Sequence, residues 1–90
     1  MTVAATIEAK LRAALAPERL VVEDESHRHA GHAGWRPGGA THFRVEVVAA
    51  AFSGLGRVAR QRLVYRLLAD EIAAGVHALA LTTHAPGEGP

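Results

Sequence analysis

The chain contains no cysteine. That excludes a disulfide framework, a CxxC redox pair and any thiolate metal site of its own. Aromatic residues are almost as scarce, with two Phe, one Trp and one Tyr in 90 residues. The core is therefore modest, built largely from alanine and aliphatic side chains, and stability is marginal unless a partner adds to it. No uncharged run approaches the ~20 residues needed to span a bilayer. Near the N-terminus, Glu8 and Lys10 interrupt the apolar start before a signal-peptide core can form. A soluble, cytoplasmic protein without membrane contact is the expectation. Excess charge is lacking too: ten basic and nine acidic residues give a formal net charge of +1, which offers little general attraction for nucleic acid. Internal repeats are absent, and the length leaves room for one core, so residues 1–90 are read as a single domain.

What is abundant is histidine. His27, His29 and His32 fall within the short stretch Asp24-Glu25-Ser26-His27-Arg28-His29-Ala30-Gly31-His32-Ala33-Gly34. Imidazole is the commonest protein metal ligand and titrates near neutrality. Three imidazoles suit zinc or nickel chemically, although this spacing matches no compact metal motif. A second local cluster is basic: Arg57, Arg60, Arg62 and Arg66 lie within ten positions.

Periodicity orders the elements. Ile7, Leu11, Ala14 and Leu15 mark one face of a helix over about residues 4–15, ended by Pro17. Leu20 to Glu23 reads as a short strand, followed by a loop rich in glycine from His27 to Ala40. Thr41 to Ala49 is a strand in which Phe43, Val45 and Val47 alternate with His42, Arg44 and Glu46. The segment Phe52-Ser53-Gly54-Leu55-Gly56 leads into one long helix, about Arg57 to Ala74, with Val64, Leu67, Leu68 and Ile72 inward. On its outer side Arg66 and Asp70 are placed to pair, and Gly75 is read as a left-handed cap. Ala78 to Thr83 is the last strand. His84 to Pro90 reads as a tail with little to anchor it, leaving about 4–84 ordered and 85–90 flexible. The order α-β-β-α-β implies an α+β sandwich, a three-stranded sheet with both helices on one face.

Five segments in order carry a resemblance: Asp24-Glu25-Ser26-His27-Arg28-His29, Gly39-Ala40-Thr41-His42-Phe43, Phe52-Ser53-Gly54, Arg60-Gln61-Arg62-Leu63-Val64-Tyr65 and Val76-His77-Ala78-Leu79. Together, from about Ile7 to Ala85, they resemble the BolA family. Two positions depart from the family pattern: Gln61 stands where histidine is common between the arginines, and Ala40 where an acidic residue often precedes Thr-His-Phe. The resemblance implies a class II KH-like fold and a partnership with a monothiol glutaredoxin and glutathione, sharing a 2Fe–2S cluster. It places the ligands on His29 and His77, with His27 and His32 as additional metal candidates outside the pattern. Some family members are described as transcriptional regulators, which implies promoter DNA as an alternative partner for Arg57, Arg60, Arg62 and Arg66.

The chemistry agrees with a shared cluster. Iron–sulfur clusters are normally held by thiolates, with histidine replacing them on one iron in Rieske-type centres. A chain with imidazoles and no thiol can complete such a site but not build it alone, and its ligation is lost in acid because imidazole must be unprotonated to bind. On the residues alone, His77 shares strand parity with Leu79 and Leu81 and reads as a core imidazole bonded to a backbone carbonyl. The resemblance makes it a ligand. His42, facing away from Phe43, is read as structural or surface, and His84 as tail. The arginine-bearing helix reads either as a solvated face or as a contact surface for DNA, an acidic partner or a glutathione carboxylate. An activated Ser or Cys is absent, and Asp24 with Glu25 reads as a strand end, so an enzyme is not expected. Alone, the chain is expected to be a monomer or a weak homodimer.

Overall fold

The computed structural model describes residues 2–26 and 41–88. Thr2 opens the first helix, α1 (Val3–Leu15), by accepting a hydrogen bond from the Ala5 N–H at 3.0 Å, which satisfies one of the free donors of a helix start. Ile7, Leu11 and Leu15 recur every four residues and are buried. Ala14, expected on the same face, is exposed, because it lies on the flank of a stripe centred on Leu11. Ala16 takes a left-handed conformation (φ 44°, ψ 56°) and its N–H caps the Arg12 carbonyl, after which Pro17 cannot continue the ladder.

Strand β1 (Arg19–Asp24) runs antiparallel to β2 (His42–Val48), with Leu20 opposite Val47 and Val22 opposite Val45. Strand β3 (Ala78–His84) joins the other edge of β2 in parallel, pairing His42 with Ala78 and Val48 with His84. The sheet order is β1-β2-β3. A parallel neighbour requires a crossover, and the helical segment between β2 and β3 supplies it. On β2 the residues Phe43, Val45 and Val47 are buried and join Ile7, Leu11, Leu15, Val64 and Leu68 in one core. On the other face of β2, Arg44 meets Glu23 at 2.6 Å and Glu25 at 3.7 Å, and also pairs with Glu46. The domain is thus an α+β layer structure of the expected kind. A 3-10 turn (Ala50–Phe52) tucks the fully buried Phe52 under the helices.

The long second helix is corrected in one respect. It comprises two segments, α2 (Arg57–Leu67) and α3 (Ala69–Ala74), meeting at Leu68 with φ −104° and ψ 17°. The Leu68 N–H still bonds the Val64 carbonyl, and Ile72 bonds that of Leu68, so the change is a local rotation rather than a break. Leu68 remains buried across it, and the next turn docks on α1, where Lys10 Nζ lies 2.8 Å from Glu71 Oε2 and 3.5 Å from Asp70. The acidic partner of Arg66 in the sequence reading is therefore held by Lys10 instead. Gly75 does cap α3, but at φ 135° rather than in the left-handed helical region.

The C-terminal reading also changes. His84 closes β3, and its carbonyl accepts from the Ala49 N–H at 3.0 Å. Ala85 is buried, with its N–H donating to Glu88 Oε1 at 3.0 Å. Arg60 grips the same carboxylate at 2.5 and 2.8 Å. Residues 84–88 are anchored because a carboxylate four residues past the strand finds a guanidinium from α2.

Candidate metal-ligand site

The start of the sheet brings its three strands to one polar junction. Asp24 Oδ1 accepts from the Ser26 N–H at 2.9 Å, turning the chain at the end of β1. The Ser26 hydroxyl, 2% exposed, accepts from the N–H groups of Thr41 at 2.9 Å and His42 at 3.2 Å. The Thr41 carbonyl in turn accepts from His77 at 2.7 Å and Ala78 at 3.1 Å. Since β3 begins at Ala78 in register with His42, His77 falls beside Thr41 and His42 at the sheet's edge.

Two imidazoles meet there. His42 is buried, and its Nδ1 lies 2.9 Å from Thr41 Oγ1. His77 is exposed, and its ring centroid stands 5.4 Å from that of His42 with the planes at 57°. Imidazole nitrogens are donors of the kind that metals take. They do not make a complete site: among the described residues, no group of three or more His, Cys, Asp or Glu side chains could hold a metal ion. Further ligands must come from elsewhere, and the absence of cysteine means that any thiolate must be another molecule's.

His77 is therefore available to solvent, not a core imidazole, because it precedes the strand whose parity would have turned it inward. His42, read as structural or surface, is structural: it is the buried neighbour of His77. The signal that could have revealed it was topological: a parallel β3 starting at Ala78 sets His77 against Thr41-His42. His27, His29 and His32 lie outside the described residues. Their segment is nonetheless bounded by Ser26 and Thr41, which are bonded to each other at this junction.

The arginines divide. Arg57, Arg62 and Arg66 are exposed. Arg60 is not a free contact: its side chain is 12% exposed, its Nε donates to the Leu55 carbonyl at 2.9 Å, and its guanidinium is committed to Glu88. That pairing, with help from the Ala85 N–H, holds the Glu88 carboxyl at about 2 against an ordinary 4.5. Arg57 and Arg60 line a cavity of about 520 Å³ with Leu81, His84 and Glu88. It lies at the opposite end of β3 from His77, roughly 20 Å away at the rise of a strand. The large hydrophobic side chains exposed among the described residues are Leu55, Val58 and Tyr65, all on α2 or the turn before it.

A small α+β domain with a mixed sheet, a polar strand junction and an imidazole pair at its edge is the class that the geometry defines. Comparison with known proteins makes it specific: the model of the family described as BolA-like protein matches residues 11–88, and the chain belongs to that family. It is 51% identical over 89 residues to a Sinorhizobium protein of the cobS 5′ region, covering 98% of this chain and 96% of that one. It is 45% identical over 89 residues to Protein BOLA1, chloroplastic, of Arabidopsis thaliana, covering 97% of this chain and 56% of the relative. Among solved structures, the BolA domain of SufE1 from Arabidopsis thaliana superposes with a TM-score of 0.89 at 42% identity, covering 99% of this chain and 98% of that one. The chain thus spans nearly all of the bacterial relative and about half of the plant one. No described helix is long and apolar enough to cross a membrane.

Proposed function

We propose that this protein is a non-catalytic cytoplasmic adaptor that binds a monothiol glutaredoxin and co-ligates a 2Fe–2S cluster with it. The observation that carries the reading is an exposed imidazole, His77, held beside a second one in a chain without a single thiol. The partner class is the one that the BolA resemblance implies. His77 serves as one ligand and His29, in the segment between β1 and β2, as the other. The junction of Ser26 with Thr41 favours this pairing because both ends of the His29 segment start from the His77 edge. His27 and His32 are spare imidazoles in the same segment. When bound, the cluster would supply one-electron chemistry and transferable iron and sulfide, with neutral imidazole favouring a higher potential than thiolate. This chain's part is to present nitrogen ligands and a docking face.

For docking, α2 offers Val58, Arg62 and Tyr65 at helical spacing on its outer side, with Arg57 and Arg66 beside them. Apolar and basic side chains interleaved in this way suit a protein surface with acidic groups at its rim. The alternative, a regulator bound to promoter DNA, rests on Arg57, Arg62 and Arg66 alone, since Arg60 is committed to Glu88.

Co-expression with a monothiol glutaredoxin tests the reading. A coloured heterodimer is expected, with a visible circular dichroism spectrum unlike that of the glutaredoxin homodimer. His77→Ala is expected to shift it toward the homodimer spectrum. A spectrum and affinity unchanged in the His29→Ala, His77→Ala double variant would remove the ligand assignment. Salt-sensitive, sequence-dependent retention of duplex DNA, lost in Arg57→Ala with Arg62→Ala, would favour the regulator instead.

A further inference from the structure

The imidazole pair is held in place by a residue with no metal chemistry of its own. Thr41 is fully buried, and all of its polar groups are engaged. Its N–H donates to Ser26 Oγ, its carbonyl accepts from the His77 and Ala78 N–H groups, and its hydroxyl meets His42 Nδ1 at 2.9 Å. The backbone of Thr41 thus sets where His77 leaves the sheet. Its side chain touches the ring that stands 5.4 Å from the His77 imidazole.

We infer that Thr41 is a positioning residue for the His42–His77 pair: its hydroxyl locks the His42 ring, and that ring fixes the arrangement in which His77 is presented. The inference rests on the ligand reading given above. Its physical basis is general. The hydrogen bond made by one nitrogen of an imidazole sets the tautomer and orientation of the ring, and losing the direct support of a ligating ring typically costs 10- to 100-fold in metal affinity; Thr41 acts one ring removed from His77, at the low end of that range. A hydroxyl on a wholly buried side chain is a precise support, because neither water nor a rotamer change substitutes for it readily.

Thr41→Val against Thr41→Ser separates positioning from packing. Valine keeps the shape and both backbone bonds while removing the hydroxyl; serine keeps the hydroxyl. The first readout is made on the chain alone, as ¹⁵N and ¹H signals of the histidine rings. Thr41→Val is expected to move the His42 ring-nitrogen signals and the ring signals of His77, while Thr41→Ser stays near the parent. Protection of the Ala78 amide against exchange should be unchanged in both. The second readout is the cluster-bearing complex with a monothiol glutaredoxin, whose affinity is expected to fall about 10-fold in Thr41→Val and little in Thr41→Ser. Ring signals of His77 identical in Thr41→Val and the parent would overturn the inference. So would equal losses in the valine and serine variants, which would assign the effect to packing. If the parent complex has no His77-dependent spectrum, the cluster reading falls, while the ring signals of the chain alone still decide the positioning role. Should Thr41→Val not fold, Thr41→Ala against Thr41→Ser makes the same comparison.

Discussion

Removing one oxygen at Ser26 is expected to loosen the junction where β1 ends and β2 and β3 begin. The hydroxyl is 2% exposed and accepts from two backbone N–H groups, those of Thr41 at 2.9 Å and His42 at 3.2 Å. In Ser26→Ala both donors stay buried and lose that partner. A buried donor left unsatisfied costs about 1–3 kcal/mol, and the longer bond belongs at the low end, so the loss is about 2–4 kcal/mol. A chain of this length has a total stability of about 5–13 kcal/mol. The variant should therefore fold, but with its urea midpoint clearly lowered and its Tm reduced by roughly 10–25 °C. Urea unfolding followed by far-UV circular dichroism measures the total. Amide exchange assigns it, because the Thr41 and His42 amides should lose protection beyond the global loss. A change under about 0.5 kcal/mol, with those two amides exchanging as in the parent, would refute the reasoning. It would mean that the N–H groups find other acceptors and that the serine is not the tie.

Two further perturbations probe other parts of the molecule. Phe52, fully buried beneath the helices, should lose about 3–5 kcal/mol on Phe52→Ala, a large share of the total stability; a loss below about 1 kcal/mol by chemical denaturation would show that the turn simply closes over the gap. The Arg60–Glu88 clasp predicts a pH dependence: Glu88 is depressed from 4.5 to about 2 when folded, so its contribution is complete above about 4.5 and is lost as pH falls from there toward about 2. Glu88→Gln should flatten the acid slope of stability in that window, and an identical slope in parent and variant would count against the clasp.

Much of the fold was legible because periodicity is a strong signal when a single face is buried. The alternation of Phe43, Val45 and Val47 on β2 and the four-residue recurrence of Ile7, Leu11 and Leu15 on α1 both appear as read. The errors lie where a contact between distant residues decides. Nothing local announces the rotation at Leu68, which accompanies the docking of Asp70 and Glu71 on Lys10, some sixty positions away. The apparent tail, judged by its glycine and proline, is held because Glu88 reaches Arg60 and the Ala85 N–H. That same contact removes Arg60 from the exposed cations, so an error about the tail becomes an error about a candidate site residue.

The site shows the same division at finer scale. His77 was visible as a candidate ligand through its motif, but its own strand parity argued for burial. The parity argument fails because β3 begins one residue later, at Ala78, leaving His77 outside the alternation. Ser26, Thr41 and His42 carried no chemical signal of their own, since serine, threonine and histidine beside a loop are ordinary surface residues. They become informative only once the register places Ala78 opposite His42, which sets His77 against Thr41 and closes the junction with two hydroxyls. The position of the imidazoles is thus a property of the sheet rather than of the histidine-rich segment. A substitution at Ser26 or Thr41 should disturb His77 more than a change among the residues that first suggest metal chemistry, because the hydrogen bonds that place it run through the strand starts.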